Sequence, residues 1–419
     1  MMLGKFLKDC VRRFCCASLR RFLARRTKTW RDLRSRADAV QQKECITVAF
    51  MVMDLPCWRC DSVYQAMQKH PRFRPIIWIV DEIRIKDESE KCRNLVAMRS
   101  YFAERGYTVA ELYSLERMRS EYAPDVVFLS KPSVYHSRWS IGEMNRELVC
   151  YVPYCFQNTK KNDFIHGQEC YFWRNYYTTI GIKKLASSIM TNGGCNVVSV
   201  GSPVVDNYLS QETVTTKSVW KNCGDKMKRI IWAPHWSIAN EGWYNVATFL
   251  ELAEDMLLLA AKYGDCVQWA FKPHPLLRET LYHHPDWGKE RTDDYYNRWA
   301  SMPNTQLESG AYVDLFKQSD AMVHDSGSFI IEYLLVNKPC MYLQRKNGSP
   351  DFNEDTLKAL ECYQKGLSAA DVEQFILGIL NGSVDSKEPV RARYREEYLV
   401  PPGGSSAQLI IDDILHGKY

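Results

Sequence analysis

No apolar run in the chain approaches the roughly 18 residues that a membrane-spanning helix needs; the longest pure stretches are of the Ile76-Ile77-Trp78-Ile79-Val80 kind. No bilayer-crossing helix is therefore expected. The chain also lacks Gly-x-x-x-x-Gly-Lys-Ser/Thr, and no Gly-x-Gly-x-x-Gly follows the first strand-like run, so ordinary kinase and nicotinamide readings lose support. It has no Asp-x-Asp to bridge a nucleotide through a metal, and the expectation is that neither metal nor another cofactor is needed. The one Cys-x-x-Cys, Cys57-Trp58-Arg59-Cys60, has no second pair or His cluster at ligand spacing, which argues against a zinc site. Repeats at the short periods of solenoids and propellers are absent.

What is present is the composition of a folded protein: 46% hydrophobic, 25% charged and 12% aromatic over 419 residues, a length that suits two domains better than one core. The fifteen cysteines are scattered, several in apolar strand-like runs (Cys150, Cys155, Cys266, Cys340), and read as small reduced core residues.

Charge is divided unevenly. Residues 1–36 hold twelve Lys or Arg against Asp9 and Asp32, while the rest of the chain has 43 basic and 48 acidic side chains. The body is thus mildly acidic, which argues against nucleic acid as a partner, and the basicity is an appendage. Within it, Leu3, Phe6, Leu7, Cys10, Val11 and Phe14 recur at helical spacing. Residues 1–40 are read as a basic amphipathic helix that lies on an anionic membrane surface; a cationic helix packed on its own domain and a frayed basic terminus are the alternatives. Charges recur too often for a secretory signal, so a peripheral position on the cytoplasmic face of the cell membrane is expected.

Beyond the appendage, apolar β-rich runs alternate with helical stretches. Ile46 to Val52, Pro75 to Val80, Tyr107 to Leu112, Asp125 to Leu129, Leu148 to Pro153 and Asn196 to Val200 read as strands of a first doubly wound lobe, 41–209. A polar linker, 210–228, precedes a second lobe, 229–385, with strands at Arg229 to Ala233, Cys266 to Phe271, Ala321 to His324 and Pro339 to Leu343. Residues 386–419 are expected to be a helical tail packing near the linker. The fold class is α/β, with two Rossmann-like lobes facing each other across a cleft, and ligands of such sheets bind at the carboxyl ends of the strands.

Three strand ends of the second lobe carry polar clusters: Ala233-Pro234-His235-Trp236-Ser237, Lys272-Pro273-His274-Pro275 and His324-Asp325-Ser326-Gly327-Ser328. Three of nine histidines on one edge point to a functional cleft, since an apolar strand core offers imidazoles few partners. In the third cluster, strand passes through a turn into the apolar run Phe329-Ile330-Ile331. There, free amides, Gly327 and the hydroxyls of Ser326 and Ser328 suit a phosphate, although Ser328 could equally act as a helix cap.

Ile231-Trp232-Ala233-Pro234, Phe271-Lys272-Pro273-His274-Pro275, and Ser319-Asp320-Ala321-Met322-Val323-His324-Asp325-Ser326-Gly327-Ser328-Phe329 followed by Glu332 and Asn337-Lys338-Pro339 resemble the CDP-glycerol glycerophosphotransferase family of teichoic acid and capsule synthesis. The resemblance spans roughly 229 to 345. It implies two lobes of the glycosyltransferase-B (GT-B) type and a CDP-polyol donor on the second lobe. It also implies transfer of a polyol phosphate to a membrane-associated glycan or lipid-linked acceptor. By it, His274 is expected near the donor phosphates together with Lys272, His324, Asp325, Ser326, Gly327 and Ser328, and His235 replaces the family's usual hydroxyl residue; His235, His274 and His166 are the expected catalytic residues, one cleft histidine taking the acceptor's hydroxyl proton. The family's first-lobe Trp-His-Gly has no counterpart in Cys150-Tyr151-Val152-Pro153-Tyr154-Cys155-Phe156. His166 or His136 is the substitute base, unless these are plain surface-loop residues; Tyr154 and Lys160 are expected on the acceptor side. Two rival readings stay open: a GT-B glycosyltransferase using a nucleotide sugar, and a membrane-associated scaffold without turnover.

Overall fold

The computed structural model describes residues 32–80, 88–111, 114–131, 144, 146–160, 168–209, 218–221, 226–238, 244–310, 312–345, 350–383, 385–401 and 403–417. The calls on His136 and His166, and most of the basic appendage, lie outside the described residues.

Seven parallel strands build the first lobe: β1 (Ile46–Val52), β2 (Phe73–Ile79), β3 (Val109–Ala110), β4 (Val126–Leu129), β5 (Leu148–Tyr151), β6 (Arg174–Tyr177) and β7 (Val197–Ser199), in the order β3-β2-β1-β4-β5-β6-β7. Every residue of β1 is buried, as a central strand covered on both faces must be. One face packs Val48, Phe50 and Val52 against the helices; Ala49, Met51 and Trp78 fill the other. The reversal of strand order between β1 and β4 is the switch point where this class of sheet presents its ligands.

The second lobe has six parallel strands: β8 (Lys228–Ala233), β9 (Val267–Phe271), β10 (Thr305–Leu307), β11 (Ala321–His324), β12 (Cys340–Leu343) and β13 (Gln364–Gly366), ordered β10-β9-β8-β11-β12-β13. Its switch point falls between β8 and β11. A Trp232, Trp269, Phe271 and Trp299 cluster fills one face, and Ile231, Met322, Tyr333 and Tyr342 the other.

The two lobes share more than a linker. A helix at 32–41, the end of the expected appendage, packs Leu33, Ala37 and Val40 into the first-lobe core. At the other end, Glu388–Tyr394 and Arg395–Leu399 lie against the second lobe, and Ser406–His416 crosses back to bury Ala407, Ile410, Ile411 and Ile414 in the first. Gly201 (φ +76°) permits this crossing, because a Cβ there would stand 2.8 Å from Ser406 Oγ. Among the described residues every cysteine is free, and no helix is long and apolar enough to cross a membrane.

Candidate active site

The strand ends β8, β9 and β11 lie side by side in register, His324 opposite Ala233 and Trp232 opposite Phe271, so the three polar clusters form one edge. Asp325 joins them. One carboxylate oxygen accepts from the His235 amide (2.6 Å), the other from the Thr248 amide (2.6 Å) and hydroxyl (2.9 Å). Burial pushes its pKa up to about 6 while these hydrogen bonds pull the other way. Asp325 was expected to touch donor phosphate; its oxygens are instead occupied within the protein, and an anion would find a carboxylate there, so its part is to hold the strand ends together.

His324 departs from expectation in the same direction. Its ring is fully buried, edge-on to Tyr342 (5.5 Å) and Tyr363 (5.8 Å), with Nδ1 donating to the Ser326 carbonyl at 3.1 Å. Burial lowers its pKa to about 3, so it is a neutral brace behind the turn.

His235 and His274 do meet, ring centroids 5.0 Å apart. Each accepts, at Nδ1, a hydrogen bond from the amide two residues on: Ser237 at 3.2 Å and Leu276 at 3.1 Å. An Nδ1 that accepts is unprotonated, so each neutral ring carries its proton on Nε2. Desolvation depresses both pKa values, His274 to about 4 with Lys272 adding to the shift, and His235 well below its ordinary value. The pair is therefore built to donate N–H to an anion and not, in this tautomer, to accept a proton.

Lys272, buried, points Nζ to the Gly310 carbonyl (3.0 Å) and over the Tyr312 ring (5.3 Å). Desolvation brings its pKa down to about 8, against the pull of Glu308 and Glu332. In the turn, the amides of Phe329 and Ile330 are taken by the carbonyls of Ser326 and Gly327. Ser328 makes no side-chain cap bond, so the capping alternative is not realised, and the residue is half-buried.

Sequence reasoning missed the groups that bring the first lobe to this edge. Arg59 donates from Nε to the Tyr154 carbonyl (2.7 Å) and from Nη2 to the Tyr312 hydroxyl (2.5 Å), and Tyr312 passes its own proton toward Glu332 (2.9 Å). Arg59 sits inside the Cys-x-x-Cys, a motif whose usual chemistry is that of its thiols. Burial raises the pKa of both Cys57 and Cys60, so neither is a thiolate, and the motif's working residue is its arginine. Beside it, Asp54 at the end of β1 pairs with buried Lys131 at the end of β4 (2.6 Å), on the first lobe's own switch point. The carboxyl ends of strands were the available signal for both.

The acceptor-side residues have separate places. Tyr154 is exposed and offers its carbonyl to Arg59; Lys160 is exposed and pairs with Asp351 at 2.7 Å. Lys160 belongs to a clasp in which its amide donates to the Asp351 carbonyl, Thr159 bridges Phe352, and Asn353 bonds the carbonyls of Asn158 (3.0 Å) and Gln157 (2.8 Å). Above the turn, Asn158 Nδ2 donates to the Tyr244 hydroxyl at 2.7 Å. No group of three or more His, Cys, Asp or Glu capable of holding a metal occurs among the described residues.

Residues 181–348 match the family described as CDP-Glycerol:Poly(glycerophosphate) glycerophosphotransferase, a span that contains all three strand-end clusters. The resemblance drawn from residues 229 to 345 is thus supported independently. No curated protein matches the chain. Among solved structures, the wall teichoic acid polymerase TagF, an H444N variant with CDPG, is 13% identical, with 95% of this chain and 97% of that chain covered at a TM-score of 0.58. An S. aureus MnaA–UDP structure is 14% identical (88% and 96% covered, TM-score 0.58). The UDP-GlcNAc 2-epimerase from Neisseria meningitidis bound to UDP-GlcNAc is 15% identical (88% and 99%, 0.56). At these identities the likeness shows the fold, a two-lobed GT-B-like α/β architecture.

Proposed function

We propose that this chain is a transferase that moves a polyol phosphate, glycerol- or ribitol-phosphate, from a CDP-linked donor to a hydroxyl of a membrane-associated glycan or polymer. The reaction belongs to cell-surface polysaccharide synthesis at the cytoplasmic membrane face. One observation carries the reading. Lys272, the Nε2–H groups of His235 and His274, and the Gly327-Ser328 turn gather at a single carboxyl edge inside the region that matches the glycerophosphotransferase family.

In this reaction the acceptor oxygen attacks the donor phosphorus bearing the polyol, the bond from that phosphorus to CMP breaks, and CMP leaves with the electron pair. The negative charge that spreads over the phosphoryl oxygens meets a lysine cation and two neutral imidazole N–H donors that are themselves largely desolvated, and fixed donors in such surroundings act far more strongly than in water. The acceptor's proton goes to a first-lobe base, for which His166 is the proposed residue. Tyr154 lies on the acceptor side. Lys160 joins it by exchanging Asp351 for an anionic acceptor, since an exposed ion pair is worth about 0–1 kcal/mol. No step requires a metal.

Incubation with CDP-glycerol and CDP-ribitol is expected to release CMP, in the presence of EDTA as in its absence. UDP or GDP released from a sugar donor would favour the glycosyltransferase reading, which has in its support the likeness to structures that hold UDP or UDP-GlcNAc. Activity lost in EDTA and restored by Mg²⁺ would overturn the metal-free assignment.

A further inference from the structure

Gly327 has no room for a side chain. A Cβ built there would fall 1.5 Å from the Tyr244 hydroxyl and 2.5 Å from Asn158 Nδ2. The space over the glycine expected to admit a phosphate is thus taken by a hydrogen-bonded pair, one member from each lobe, joined at 2.7 Å, so an anion at this edge would meet these two side chains before the glycine backbone. The Tyr244 ring stands edge-on to His235 at 5.5 Å, so its hydroxyl reaches over the turn from the side of the histidine pair. Asn158 is held from behind, its carbonyl accepting from the Asn353 amide and the preceding carbonyl, Gln157, from the Asn353 side chain. Its amide is thus aimed by the interlobe clasp and not by a wandering loop. Of the two side chains that stand nearest over Gly327, Tyr244 comes from the second lobe and Asn158 from the first.

We propose that Asn158 and Tyr244 are donor ligands that grip the second phosphate of a nucleoside diphosphate, with Tyr244 bridging the His235 side and Asn158 carrying the first lobe's closure onto the group to be transferred. The inference rests on the phosphate-transfer reading for its location and sharpens it by separating the two phosphates. The inner phosphate is left to the second lobe alone. The outer one, which carries the polyol and receives the attack from the acceptor side, is seen by both lobes.

The test is calorimetric titration of the wild-type chain and of Tyr244→Phe, Asn158→Ala and the double variant with CDP, CMP, UDP and UMP. Both single variants keep the fold's apolar contacts, and thermal melting of each checks this. Each is expected to lose tenfold or more in affinity for the diphosphate and less than twofold for the monophosphate, and the double variant to lose little more than the worse single one, because the two side chains act as one hydrogen-bonded unit. Gly327→Ala, which displaces Tyr244, should reproduce the diphosphate defect. Equal losses for di- and monophosphate, or a shift in melting temperature with no change in affinity, overturn the proposal, as does a wild-type chain that binds both nucleotide forms alike or neither. Selective diphosphate loss without CMP release from any CDP-polyol would instead retain the phosphate grip and sink the transfer reading.

Discussion

At the scale of single residues, burial decides which polar groups can work. Lys272 and His274 are both desolvated, but the consequence differs with the ordinary pKa of each. Lysine starts high and, at about 8, is still mostly a cation at neutral pH; histidine starts low and, at about 4, is neutral. On the proposed reading, a diphosphate bound beside them would raise both values, since it favours the charged forms. CDP affinity is therefore expected to fall as pH rises through about 8, where the free protein loses the Lys272 cation. It should climb again as pH drops from 7 toward 4, where binding takes up a proton on His274. Titration across pH 4 to 10 measures both limbs. Lys272→Met should weaken CDP binding at pH 7 by at least tenfold and abolish the alkaline limb, leaving the acid limb in place. Asp325 is decided by burial in the opposite sense. Its three accepted hydrogen bonds make Asp325→Asn costly, because an amide nitrogen would have to face a peptide N–H; a loss of about 1–3 kcal/mol in denaturant unfolding is expected.

At the scale of elements, legibility followed the hydrophobic pattern. β1, β2, β4, β8, β9, β11 and β12 are near-continuous apolar runs closed by polar residues, so both the strands and the chemistry at their ends could be read from neighbours in the sequence. β6 was not read, because Arg174-Asn175 interrupts the run. It is a buried strand only because a partner 239 residues away makes it so: Asp413, on Ser406–His416, takes both Nε (2.8 Å) and Nη2 (3.2 Å) of Arg174 and the Tyr176 hydroxyl (2.9 Å). β10 and β13 have three residues each and too little pattern to declare themselves. In the site, the same division holds. The Lys-Pro-His and Asp-Ser-Gly clusters were visible, whereas the roles of Asp325 and His324 depended on what packs behind them. Tyr244 and Asn158 meet from 86 residues apart. The Arg174–Asp413 contact is a measurable cost of crossing back. Asp413→Asn removes the carboxylate paired with an arginine that has 3% of its side chain exposed, and a loss of about 3 kcal/mol is expected, seen as a lowered melting temperature.

At the scale of the whole molecule, the two switch points face each other through a line of polar groups. From the second lobe it runs through His235, His274, Lys272, Tyr312 and Glu332; from the first, through Lys131, Asp54 and Arg59. Arg59 is the crossing. Its guanidinium is held by a first-lobe carbonyl and a second-lobe phenol, and burial raises the pKa of Glu332 against the opposing pull of Arg59 and Lys272. This charge balance ties the interlobe contact at Arg59 to the state of Lys272, because both cations offset the same buried carboxylate. Replacing Arg59 by methionine keeps much of the volume and removes one of the two. Of the two cations Lys272 then remains to offset Glu332, and the loss of repulsion from Arg59 should raise the Lys272 pKa and carry the alkaline limb of CDP binding to higher pH. The interlobe contact is lost at the same time, at about 3 kcal/mol of stability. Tyr312→Phe separates the two effects. It cuts the hydrogen-bonded link between Arg59 and Glu332 while leaving both charges in place, so the lobes should loosen in small-angle scattering with the alkaline limb nearly unmoved. If Arg59→Met leaves that limb where it stands in the wild type, Glu332 is not the shared counter-charge, and the contact through Arg59 does not set the charge state of Lys272.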